Sequence, residues 1–74
     1  MAVEPTAVSP EFDRMMRIRV AASQLTAAYS VRPRNSELID AAREVFSAVS
    51  EIPVDEDRVA AAQAEHDRIK AALG

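Results

Sequence analysis

Cysteine is absent from these 74 residues, which excludes a disulfide framework, a thiolate metal site and a cysteine nucleophile. Glycine occurs once, as Gly74, so no glycine-rich loop is available to cradle a phosphate. Tryptophan is missing too, and the aromatics number three: Phe12, Tyr29 and Phe46. No stretch approaches the roughly 18 apolar residues of a membrane span. The opening residues Met1 to Pro5 offer neither a basic region nor an apolar run, so no secretory signal is read there. Ala2 excludes N-myristoylation, which needs glycine at that place. The expectation is a cytoplasmic chain with no membrane contact.

What is present is dominated by alanine, with 15 residues. The larger apolar side chains are eight Val, four Ile, three Leu, three Met, two Phe and Tyr29. A single domain of this length buries only about 60% of the surface its unfolded chain exposes. Small cores of this kind rarely supply more than about 3–5 kcal/mol without a staple such as a metal, a disulfide or oligomerisation. Eight Arg against one Lys, beside so much Ala and Val, fits a GC-rich genome such as that of an actinobacterium or one of its phages.

Prolines 5, 10, 33 and 53 punctuate the chain, and between them lie three segments of helical periodicity. Residues 1–8 show no amphipathic pattern and read as a flexible N-terminal tail. Ser9 as cap, Pro10 at the first position and Glu11 in the first turn predict a helix over 10–30. Its seam is expected to be Met15, Ile18, Ala22, Leu25 and Tyr29, with a second stripe of Met16, Val20 and Ala27 on another face. Asn35 or Ser36 caps a second helix over 36–51. Here Leu38, Ile39, Ala41, Ala42, Val45, Phe46, Ala48, Val49 and Ile52 fill one half of the wheel, and every charged residue falls on the other. Asp55 caps a third helix over 56–73, with Glu56 and Asp57 in its first turn. Its narrow seam is Val59, Ala62, His66, Ile69 and Leu73, and Gly74 stands ready to close it. The short connections predict an all-α fold, a small antiparallel three-helix bundle occupying 9–74.

The net charge of −3 conceals an asymmetry. Residues 14–34 hold Arg14, Arg17, Arg19, Arg32 and Arg34 and no acid, whereas residues 35–74 hold nine acids against four bases. This basic patch is the candidate footprint for nucleic acid or an acidic partner. On the wheel, however, the arginines scatter, and the simpler reading is that they pair with acids of the other helices or stay solvated. A helix-turn-helix across Ile52 to Asp55 is disfavoured, because its recognition helix opens with three acids facing a polyanion.

His66 is the single histidine, and the positions one turn away are Ala62, Gln63, Ile69 and Lys70, so no metal site is expected around it. It reads as a packed seam residue with one ring nitrogen towards solvent. The six serines lack a nucleophile-elbow context, and Asp55-Glu56-Asp57 lacks the alternating ligands of a calcium loop. No enzymatic activity, cofactor or small-molecule substrate is therefore expected. The remaining candidate is surplus apolar surface: Met16, Val20 and Ala27 on the first helix, with Ile39 and Phe46 on the flank of the second. Such a patch predicts a protein–protein face. A homodimer is one occupant, with Arg17 and Arg19 reaching Glu44 or Glu51 of the other chain, and a larger protein partner is another. The function expected is that of a non-enzymatic interaction module. Nucleic-acid binding through the arginine cluster is the alternative.

Overall fold

A computed structural model describes residues 9–73 of the chain. The tail expected at 1–8 and the closing role of Gly74 lie outside the described residues. Three helices, α1 (Pro10–Ser30), α2 (Ser36–Ser50) and α3 (Glu56–Ala72), form a small all-α three-helix bundle, with no strand among the described residues.

Each helix starts where a short polar side chain takes up an orphan backbone N–H. The Oγ of Ser9 accepts from the N–H of Phe12 at 3.1 Å. The Oδ1 of Asn35 accepts from the N–H of Leu38 at 3.0 Å, so Asn35 rather than Ser36 is the cap of α2. The Oδ1 of Asp55 accepts from Asp57 and Arg58 at 3.0 and 3.2 Å. Two helix ends are closed by arginines, whose cationic donors suit the negative end of the dipole. Arg32 Nη1 donates to the carbonyls of Tyr29 at 2.7 Å and Val31 at 3.0 Å, past the end of α1. Arg14 Nη2 donates to the carbonyl of Ser50, the last residue of α2, at 3.0 Å.

Helix α2 is the centre of the packing. It lies against both α1 and α3, whereas no Cα pair between α1 and α3 comes within 8 Å. Its continuous apolar arc is therefore buried on two flanks at once: Leu38, Ile39, Ala41, Ala42, Val45, Ala48 and Val49 are all buried. At one end of the bundle Leu38 and Ile39 pack with Ala28 and Ile69. At the other, Val45 and Val49 pack with Ala21 and Ala62, flanked by Ile18, Phe46 and Val59. Six of the eleven buried apolar residues are alanines, so the core is as thin as the composition implies.

The seam of α1 departs from expectation. Its buried residues are Ala21 and Ala28, with Ile18 and Leu25 half-buried beside them, while Met15 and Tyr29 are exposed. The helix is turned so that alanines face α2, because small side chains let two helix backbones approach closely enough to pack. Arg14 and Gln24 are half-buried on this side, and Arg14 Nε and Gln24 Oε1 are buried without a hydrogen-bond partner. In α3 the buried residues are Ala62, His66 and Ile69, whereas Leu73, past the end of the helix, is exposed. Ile52 likewise follows α2 and is 78% exposed, so it adds nothing to the core.

Candidate interaction surface

With alanines turned inward, α1 presents its large apolar side chains to solvent. Phe12, Met15, Met16, Val20 and Tyr29 are all exposed, Met16 by 42% and Val20 by 53%. Ala27 is exposed as well. By helical spacing Met16, Val20 and Ala27 form one row, while Met15 and Tyr29 lie on the other flank of α1, Tyr29 half a turn round from Val20, with Phe12 and the exposed Arg19, Ser23, Thr26 and Ser30 between them. Methionine suits such a face because its unbranched thioether adapts to the surface it meets. Phe12, Met15 and Tyr29 escaped the sequence reading as surface residues. Two of them fitted an inward seam by spacing alone, and the preference for alanine against α2 has no signature in hydrophobicity.

The two α2 residues expected on this surface are elsewhere. Ile39 is only 3% exposed and belongs to the core, because α2 is covered on both flanks. Phe46 is half-buried against the Val45 cluster, so it too is chiefly a packing residue.

One edge of the α1 face opens into a cavity of about 260 Å³ between the end of α1 and α3. Ala27, Ala28, Val31 and Leu38 supply its apolar wall, with Gln24, His66, Lys70 and Leu73 completing the lining. Ala27 is thus both an exposed residue of the outward row and part of a concave wall.

The five arginines do not form one patch. Arg17 makes a bidentate pair with Glu56 at 2.9 and 2.8 Å, which ties α1 to the start of α3. That hydrogen-bonded pairing raises the Arg17 pKa and holds the Glu56 carboxyl below the ordinary carboxylate range. Arg14 and Arg32 serve the carbonyls already described. Arg19 and Arg34 are exposed, and no hydrogen bond or ion pair to either is seen among the described residues. The acids expected to meet Arg17 and Arg19 across a dimer are occupied within the chain: Arg58 bonds Glu44 at 2.8 Å and lies 3.5 Å from Glu51. The hydrogen bond from Arg58 lowers the Glu44 pKa.

His66 is 3% exposed, so the expected solvent-facing nitrogen gives way to a local partner. Its Nδ1 stands 2.9 Å from Asp67 Oδ1, which also accepts from Gln63 Nε2 at 2.9 Å. These two bonds, the one from His66 first, lower the Asp67 pKa. Among the described residues no group of three His, Asp or Glu side chains is placed to hold a metal ion, and no helix is long and apolar enough to cross a membrane.

The chain matches no protein-family model, no curated protein and no solved structure at a significant level.

Proposed function

We propose that this chain is a non-enzymatic helical interaction module, a small acidic cytoplasmic accessory protein that docks on protein through the outward face of α1. The observation that supports it is the inversion of side-chain size on α1, with alanines inside and Phe12, Met15, Met16, Val20 and Tyr29 outside. Of these, Met16 and Val20 form one contiguous exposed row with Ala27, and exposed apolar patches mark interaction sites. The occupant is either another copy of the chain or a larger protein, as for an accessory subunit or a phage modulator of a host protein. Nucleic-acid binding through the arginines has weaker support, since Arg14, Arg17 and Arg32 are engaged within the chain.

The test pairs wild type with Val20→Glu and Met16→Glu as baits in native cytosol. A protein retained by wild type and lost by both variants, with helical circular dichroism unchanged, supports docking through α1. Equal retention by all three contradicts it. Binding to nonspecific duplex that weakens steeply as salt rises would favour the nucleic-acid alternative.

A further inference from the structure

Helices α1 and α3 do not approach within 8 Å at any Cα pair, and at the end of α1 the side chains turned towards the gap are short. Ala27 and Ala28 each extend one carbon beyond the backbone, too little to close it. The result is the cavity of about 260 Å³, walled by those alanines with Val31, by Leu38 at the start of α2, and by residues of α3 and its end. An engineered apolar cavity of about 150 Å³ takes up benzene, so this one has room for a fused two-ring molecule.

Two polar groups interrupt the apolar lining, and both are acceptors. His66 lines the cavity and is 3% exposed, with Nδ1 at 2.9 Å from Asp67 Oδ1 and 3.5 Å from Gln63 Nε2. The shorter contact decides the tautomer. A carboxylate only accepts, so Nδ1 carries the proton and donates, and the neutral ring keeps its lone pair on Nε2. No hydrogen bond to that Nε2 is seen among the described residues. Gln24 lines the cavity too, and its Oε1 is buried without a partner, a costly state for an acceptor. The third polar group, Lys70, is exposed, with no ion pair among the described residues. An anion in the cavity would set its lone pairs against those of His66 and Gln24, and a cation would meet the Lys70 ammonium. Water alone would satisfy the acceptors and leave the apolar wall wet. We propose that the cavity is a binding site for a small, neutral, aromatic molecule of one or two rings that carries an N–H or O–H donor, as indoles and phenols do. Its ring packs on Ala27, Ala28, Val31 and Leu38, and its donor bonds to the free acceptors of His66 and Gln24. This site goes beyond the docking role of α1 and does not rest on it.

The test is a titration of the full chain, followed by the methyl signals of its alanines, valines and leucines in nuclear magnetic resonance. It is run at about pH 8, where the imidazole of a free histidine is neutral. Indole is compared with 1-methylindole, which keeps the rings and replaces the N–H, and with indole-5-carboxylate, which adds a negative charge. The expected result is saturable shifts at Ala28, Val31 and Leu38 with indole, and binding about tenfold weaker with 1-methylindole, the scale of one hydrogen bond. Indole-5-carboxylate should bind more weakly than indole. Ala27→Leu, at an exposed helical position, fills the cavity and should abolish the shifts with helical circular dichroism unchanged. Absence of saturable shifts up to the solubility of indole would mean that there is no site. Equal binding of indole and 1-methylindole would mean that the acceptors are not used, and tighter binding of the carboxylate would mean an anion held by Lys70. Shifts confined to Val20 and its neighbours on the exposed row would place the molecule outside the cavity. Each of these overturns the proposal, and the comparison of ligands needs no variant, so it decides the matter even if Ala27→Leu disturbs the fold. Neither result bears on the docking role of α1.

Discussion

Helix α2 turns Leu38, Ile39, Val45 and Val49 inward and its charges outward, whereas α1 buries Ala21 and Ala28 and leaves Phe12, Met15, Met16, Val20 and Tyr29 in water. The two helices pack against each other in the same small core, so the difference is one of use. Every large apolar residue within α2 contributes to the folded chain. On α1, leaving Met16, Val20 and Ala27 in solvent forgoes on the order of 2–4 kcal/mol of burial. That is comparable with the roughly 3–5 kcal/mol that so small a core supplies. On the proposed reading, those residues are kept for a partner surface that covers them.

The largest effect that sharpens this contrast is expected at Leu38. Leu38→Ala removes a buried side chain that packs with Ala28, Ile39 and Ile69 and should cost about 2–5 kcal/mol, enough to unfold most of the population, as read by far-ultraviolet circular dichroism. Retention of a cooperative melt near that of wild type would mean that α2 is not the organising helix. Val20→Glu should move unfolding stability by no more than about 0.5 kcal/mol, as surface changes do, while abolishing self-association. Were it to unfold an isolated chain, α1 would bury its second row as α2 buries its arc, and the contrast would disappear.

Acidification comes next. Arg58 holds Glu44 below the ordinary carboxylate range, Arg17 does so for Glu56, and His66 for Asp67. A depressed folded-state pKa adds stability that is present above the unfolded value, and that stability is lost as pH falls through the carboxylate range. The urea midpoint should therefore drop on acidification through and below about pH 4.5, and a rise there would contradict the three pairings. These contacts are mostly exposed, and each contributes little. The smallest effect is expected from Arg19→Ala: the side chain is exposed and makes no ion pair among the described residues, so stability should move by no more than about 0.5 kcal/mol in urea unfolding, and a larger loss would mean that Arg19 holds a partner within the chain.

Much of the fold was legible because its signals are local. The caps Ser9, Asn35 and Asp55 are short acceptors placed ahead of periodic segments, and the arc of α2 needs only a wheel. The seam of α1 was not legible in this way. Met15, Ile18, Leu25 and Tyr29 have the right spacing for an inward face, and only the close approach to α2 selects Ala21 and Ala28 instead. Part of the surface was nevertheless anticipated, since Met16, Val20 and Ala27 are more than a three-helix core requires. Ile39 was misassigned to that surface because a single wheel does not show that α2 is covered from both sides. The tasks of Arg14 and Arg17 depend on Ser50 and Glu56, more than 30 residues away along the chain, and no spacing rule reaches that far.

The central claim is that the large apolar residues of α1 belong to an interface and not to the core of one chain. Sedimentation velocity of wild type and Val20→Glu at high micromolar concentration, with circular dichroism on the same samples, tests it most directly. The account predicts that Val20→Glu is as helical as wild type and sediments at the mass of one chain, with any self-association of wild type lost. A wild type at the mass of one chain beside a Val20→Glu variant that has lost its helical signal would contradict it.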